Sequence, residues 1–187
     1  MKAFAAVVFA VIFAPAAFAQ HQTFTVNPDA SEVKMTLNTT HELVTGTFHI
    51  QSGSIEFDRS VPRMSGSVVV AAGSGKTGNG SRDKRMDKEI LQVEQHATIS
   101  FAPKSYTGTI APAGDSNIQA TGIFTLLGTA HEITIPLVVH LEGTIATANA
   151  HFDVPYIQWG LKDPSLFIWK VDKEVAIDLS VTGQLSK

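Results

Sequence analysis

No cysteine occurs in this 187-residue chain. That absence excludes a disulfide framework, a thiolate metal centre, a nucleophilic cysteine and the acylated cysteine of a bacterial lipoprotein. Stability must therefore come from burial alone. An excess of positive charge is also lacking: 14 Lys and Arg stand against 17 Asp and Glu, a formal charge of -3. Such a chain has no basic field for nucleic acid. Long apolar runs are missing after the first twenty residues, so no later segment is suited to cross a bilayer. The one early run, Ala3 to Phe13, follows Lys2 and precedes Pro15 and Ala17-Phe18-Ala19. A basic start, a short apolar core and an A-x-A exit predict a secretory leader over residues 1–19, cleaved after Ala19. Its loss makes the charge one unit more negative. Residues 20–187 are then one exported domain, expected to be soluble and periplasmic or secreted, and ~170 residues suffice for a core.

Most of what remains alternates with period two. Val33, Met35 and Leu37 alternate with Glu32, Lys34, Thr36 and Asn38, and Gly46, Phe48 and Ile50 with Thr45, Thr47 and His49. Ile55-Glu56-Phe57 and Met64 to Val70 continue the pattern. Longer segments follow: Ile118, Ala120, Gly122, Phe124 and Leu126; then Ile133, Ile135, Leu137, Val139 and Leu141; then Ala146, Ala148, Ala150, Phe152 and Val154; and last Val175, Ile177, Leu179, Val181 and Leu185. Pro136, on the opposite side of its strand, predicts an edge, a bulge or a bend. Many antiparallel strands with short turns predict an all-β sandwich or a closed up-and-down barrel. Closure is favoured because it removes the edges of such long strands. The inward set on 146–154 is mostly alanine, and Gly46, Ala120 and Gly122 are inward too. Small residues facing Phe, Leu and Ile leave either a packed taper or a hollow barrel.

One segment breaks the β pattern. A glycine- and serine-rich loop, Ala72 to Ser81, runs into the charged stretch Arg82 to Glu89 and then into the strand Ala97-Thr-Ile-Ser-Phe101. Ser81 is the expected N-cap, and Met86, Ile90 and Val93 form a stripe at i, i+4 and i+7, predicting a short helix that ends near Gln95. Gly75-Lys76-Thr77 is no phosphate loop. The Walker pattern requires glycine where Val70 stands and a helix directly after the Lys-Thr pair. A flexible loop is the expectation.

Chemistry-bearing constellations are sparse. Of seven histidines, His49, His140 and His151 point outward, His41, His96 and His131 fall at strand ends or turns, and His21 lies in the terminal tail. None has metal-ligand spacing, so no metal is expected. A G-x-S-x-G elbow is absent. Asp83 and Asp87 sit at i, i+4, where Arg82, Lys84 and Arg85 would hold both ionised, which makes a poor general acid. The expectation is a protein that is not an enzyme and needs no cofactor. The aromatic stretch Tyr156-Ile-Gln-Trp-Gly-Leu-Lys-Asp-Pro-Ser-Leu-Phe-Ile-Trp169 has more apolar residues than a turn requires. It reads as a lid over a barrel mouth, a self-association patch or irregular core.

Read together, Phe24-Thr-Val-Asn-Pro-Asp-Ala-Ser31, Val44-Thr-Gly-Thr-Phe48, Thr77-Gly-Asn-Gly-Ser-Arg-Asp83, Ala97 to Phe101 and Ala120 to Ile135 resemble the YceI-like family of secreted bacterial proteins. The T-G-N-x-x-R-D run before a short helix is the most specific part. The resemblance implies a lipocalin-like antiparallel barrel holding a polyisoprenoid chain, such as a prenyl-quinone tail. Phe48, Ile50, Phe101, Phe124, Ala148, Ala150 and Phe152 would line the cavity. Trp159 and Trp169 would stand near a mouth, with Arg82 and Asp83 anchoring the helix at one end. Gln158 stands before Trp159-Gly160-Leu161 where many members carry arginine, so no head-group contact is carried over there. The expected partner is a small lipid, not nucleic acid and not a membrane in stable insertion; homodimerisation stays open. The alternative is a solid-core secreted β protein acting through its surface as a stress or interaction module.

Overall fold

The computed structural model describes residues 21–186, so the leader expected over residues 1–19 lies outside the described residues. The alternating segments become ten strands: β1 (His21–Val26), β2 (Glu32–Asn38), β3 (Leu43–Phe48), β4 (Ile50–Asp58), β5 (Met64–Ala71), β6 (Thr98–Gly108), β7 (Gly114–Leu126), β8 (Thr129–Glu142), β9 (Ile145–Val154) and β10 (Val175–Ser186). All lie in one antiparallel sheet. β10 pairs with β9 along one edge and with β2 and β1 along the other, which closes the sheet on itself.

Ten strands behave as eight. β1 and β2 run end to end along β10, with Val26 opposite Gly183 and Glu32 opposite Ser180. Between them Pro28, which has no N–H for a ladder, opens a single 3-10 turn (Pro28–Ala30), and the Ser31 hydroxyl accepts the Thr182 N–H at 3.0 Å. β3 and β4 likewise form one long strand interrupted at His49. The result is an eight-stranded, up-and-down, lipocalin-like closed barrel.

Pro136 marks a seam in this wall. β8 and β9 pair only from Leu137–Ala150 to Glu142–Ile145. Among the described residues, 129–136 pair with β7 alone and 151–154 with β10 alone. Proline offers β9 no N–H, and the two strands part there.

The connections differ at the two ends. Residues 39–42, 72–97 and 155–174 gather at one end, the mouth, with the tight turn at 127–128; shorter links gather at the base. The helix at the mouth is shorter than expected. It comprises α1 (Gly80–Arg85), followed directly by a π-helical turn (Met86–Ile90), and it ends at Leu91. Its N-cap is Asn79, not Ser81. The Asn79 backbone is extended and its side-chain oxygen accepts the N–H groups of Ser81 and Arg82 at 3.1 Å each. Met86 and Ile90 still face the mouth, joined by Val93 from the turn that follows.

Buried apolar residues form three clusters, bridged by the partly buried Phe24, Phe48 and Ile177. Phe57, Tyr106, Ile110, Ile118, Leu141 and Ala146 pack the base, and the Tyr106 hydroxyl donates to the Asp58 carbonyl at 2.8 Å. Leu91, Leu126, Val154, Tyr156 and Leu161 pack the mouth. Val26, Val33, Ile50 and Val181 hold the side where β1, β2 and β10 meet.

Closure depends on a close backbone approach at Gly183. A Cβ there would collide with the Thr25 carbonyl oxygen and come within 2.7 Å of the Phe24 ring. Gly183→Ala is expected to lower unfolding stability by about 1–3 kcal/mol, as overpacking does, measured by urea denaturation.

Candidate ligand cavity and its mouth

The ladder places the alternating apolar residues on one inner wall. Phe101 pairs with Val68 and Phe124, Ala150 with Leu137 and Leu179, and Ala148 with Val139 and Val181. Directly opposed residues on antiparallel strands share a face. These side chains therefore line the interior, and Phe152 joins them through an edge-on contact with Phe124 at 6.4 Å. Phe101, Phe124, Leu137, Ala148, Ala150 and Leu179 remain only half-buried although they lie within the wall. Among the described residues no large side chain is fully buried. Alanine at 146, 148 and 150 leaves the β9 stretch of the wall without bulk.

Two covers meet over the mouth. The first is the glycine loop with its helix. Expected to be flexible, the loop is instead pinned. Ala72 is 1% exposed, Thr47 and Lys76 exchange backbone hydrogen bonds of 3.0 Å in both directions, and the Ser74 hydroxyl accepts the His49 N–H at 2.8 Å. The loop thereby covers the edge of β3. Gly75 lies so close to the barrel that a Cβ would collide with the Met86 methyl group and meet the Phe48 ring at 2.8 Å. Arg82 and Asp83 converge on Thr77. Asp83 accepts the Thr77 N–H at 2.9 Å and its hydroxyl at 2.6 Å, while Arg82 Nε donates to the same hydroxyl oxygen at 2.9 Å. Arg82 Nη1 also reaches Glu42 on the β2–β3 turn at 2.7 Å.

These contacts divide the two helix carboxyls. The Thr77 hydroxyl, ahead of a burial penalty that opposes it, holds Asp83 below its ordinary value, with the Thr77 amide, Lys76 and Arg82 adding to the effect. Asp87 goes the other way. Burial pushes its carboxyl up, against Lys76 and with Asp83, and one carboxyl oxygen is enclosed without a partner. The two are not held ionised alike by Arg82, Lys84 and Arg85.

The second cover is the aromatic stretch, and it divides in two. Tyr156 and Leu161 are buried in the mouth cluster. The Tyr156 hydroxyl donates to the Asp172 carbonyl at 2.6 Å, and burial pushes the phenol up to about 12, so it stays neutral. Trp159 is half-buried, stacks on His131 at 4.1 Å and 6°, and lies 5.6 Å from Phe124. Lys162 pairs with Glu89 at 2.6 Å, tying one cover to the other through an exposed ion pair. Leu166 to Trp169, by contrast, turn outward. Core and cover readings hold for the first part only.

The remaining candidates fall as follows. Phe48 lies between the mouth and side clusters. Ile50, 3% exposed, is packed within the side cluster. Trp169 is 40% exposed and meets the His41 ring at 4.3 Å outside the mouth. His21 lies in β1 opposite Asp58, not in a tail. His140 and His151 point outward and pair with Asp115 and Asp178 at 2.6 and 2.7 Å. His131 was the residue missed. It belongs to β8 opposite Phe124, faces inward, and its Nε2 is enclosed and unpartnered. Its period-two spacing from Ile133 and Ile135 was the available signal. Among the described residues no three His, Asp or Glu side chains gather as a metal-holding group. An open depression of about 640 Å³ lies on the outer wall beside Pro136, Val138, Asn149 and His151.

An eight-stranded closed barrel with an apolar inner wall and a structured cover over one end defines the lipocalin-like class. A short helix is inserted between β5 and β6. The chain belongs to the YceI-like family, whose YceI-like domain matches residues 24–183. No functionally curated protein matches it. The fold is shared with Burkholderia cenocepacia BcnA, at a TM-score of 0.69 and 18% identity over 85% of this chain and 99% of that one. A polyisoprenoid binding domain from Saccharophagus degradans, implicated in plant cell wall breakdown, gives 0.65 and 14% over 87% and 98%. A Campylobacter jejuni YceI protein gives 0.57 and 13% over the whole of both chains.

Because Asp83 is lowered in the folded state, its contribution is complete at neutral pH and is lost as pH falls below the ordinary value of 3.8. Asp83→Asn is expected to melt at a lower temperature than the parent at pH 7. The gap should close on acidification through that range, as read by thermal melts across pH.

Proposed function

We propose that the protein binds a polyisoprenoid or related prenyl lipid by its tail inside the barrel and carries it through the periplasm. The observation that carries this reading is a stretch of inner wall where Phe101, Phe124, Leu137, Phe152 and Leu179 are only half-buried beside the small Ala148 and Ala150, between packed clusters at base and mouth. Phe101, Phe124, Ala148, Ala150 and Phe152 contact the chain, Phe48 guides it at the mouth, and Trp159 covers it. Ile50 keeps the wall in place from the side cluster. The seam between β8 and β9, with Trp159 against His131 beside it, offers the way in with the fewest hydrogen bonds to break.

The energetics fit a tail, not a head group. Each buried CH₂ contributes about 0.8 kcal/mol gross, and ordering the flexible chain offsets part of the total. The inner wall is apolar, so transfer from water needs no charged partner. The polyisoprenoid-binding relative from Saccharophagus degradans supports the ligand class, and the expected leader supports export. No step of this function requires catalysis.

Solvent extraction of purified protein followed by mass spectrometry is expected to release a prenyl lipid. Its absence, together with no prenyl-quinone binding by refolded protein, would refute the carrier reading. Ala150→Phe separates it from a solid-core protein acting through its surface. A hollow barrel accepts the ring with unchanged melting and loses ligand. A filled one is destabilised by about 1–3 kcal/mol.

A further inference from the structure

The connection between β9 and β10 carries an exposed apolar tip. Phe167 is 96% exposed, Ile168 77%, Leu166 58% and Trp169 40%. Among the described residues, eight large hydrophobic side chains are exposed, and these four are consecutive. Leu43, at 59%, adds to the same end of the barrel from the start of β3.

The tip is held in place. Leu166 N–H donates to the Trp169 carbonyl at 2.8 Å and Trp169 N–H to the Leu166 carbonyl at 3.1 Å, so Phe167 and Ile168 form the apex of a tight turn. The stem is fastened to the β2–β3 turn by Thr40 N–H on the Lys170 carbonyl at 3.0 Å, by the Thr39–Val171 bridge and by the His41–Trp169 ring contact. The exposed apolar residues are thus presented by a fixed hairpin.

We infer that the Leu166–Trp169 tip is a membrane-contacting wedge that sets the barrel mouth against the surface of a lipid bilayer. Its shape favours lipid over protein. Two side chains at a convex apex cover far less than the ~800 Å² per partner of a stable protein interface, whereas a deformable lipid layer receives them directly. Chemistry agrees. From Pro164 to Trp169 there is no charge, Trp169 stands at the base where interfacial tryptophan sits, and the first charge after it is the cation Lys170, whose stem can extend toward phosphate. The wedge is continuous with the aromatic cover, so docking brings the bilayer to the mouth. Its purpose, loading and unloading the lipid, rests on the carrier reading; the docking itself does not. A contact this small is reversible, as a carrier requires.

The test is sedimentation of the purified protein with phosphatidylcholine vesicles, with and without phosphatidylglycerol. The parent protein is expected to sediment. Phe167→Ser/Ile168→Ser is expected to partition at least about tenfold less, with unchanged melting because both sites are exposed. Val138→Ser, on the outer wall, should behave like the parent. Uptake of a short prenyl quinone from solution, read by tryptophan fluorescence, should be equal in the parent and the double variant, while transfer of that quinone between vesicles slows in the variant. A parent that ignores vesicles, or a double variant that binds them equally well, overturns the inference. So does a variant that changes from dimer to monomer in solution while its vesicle binding stays intact. Vesicle binding lost in the variant without quinone uptake by either protein upholds the wedge and removes the carrier.

Discussion

The pairing of β10 with β1 and β2 on one side and β9 on the other, Thr23–Ser186 to Val26–Gly183 and Ala176–Thr36 to Ser180–Glu32 on the closing side, turns an open sheet into a barrel. The rest of the structure depends on that closure. It removes free edges of long strands, gives the alternating apolar residues a common interior, and brings the β2–β3 turn, the helix and the aromatic cover to one end. The β1–β10 ladder is short because Pro28 interrupts the first strand, and the Ser31 hydroxyl takes over one of the missing backbone partners. With no cysteine in the chain, no covalent link reinforces it.

Apolar burial is uneven along the barrel. Phe101, Phe124 and Leu179 are half-buried on the wall, while Phe57 and Tyr106 pack the base, Val26, Val33, Ile50 and Val181 the side, and Leu91, Tyr156 and Leu161 the mouth. The two covers share one buried cluster at the mouth, Leu91 from the helix end with Tyr156 and Leu161 from the aromatic stretch. The exposed Lys162–Glu89 pair between them contributes little more. Arg82 and Asp83 hold the helix to its own loop through Thr77.

Much of the wall was legible before any coordinates. Period two placed Phe101, Phe124, Ala148, Ala150 and Phe152 on one face because alternation is a local property of an extended chain. The same rule, applied one position further, would have put His131 inside. Other readings failed for reasons no local pattern carries. Ser81 is as good an N-cap residue as Asn79, and the backbone conformation decided between them. The helix was expected to run to Gln95; Leu91 N–H instead bonds back to Met86, widening the last turn and ending it early. The loop from Ala72 looks mobile from its glycines, yet Gly75 is there because Phe48 and Met86 leave no room for a side chain.

From the sequence alone came the strands after β1, most of their inward sets, the position of the helix and the family, since each follows from residue order over a few positions or from a motif; His21, placed in a tail, belongs to β1. Only the tertiary structure decided which strand meets which, that β1 closes on β10, that β8 and β9 part at Pro136, and that the aromatic stretch divides into a buried cover and a bare tip. Those outcomes depend on contacts between residues far apart in the chain. Tyr156 and Phe167 are aromatics eleven positions apart, and the less polar of the two is the exposed one, because only Tyr156 lies over the barrel.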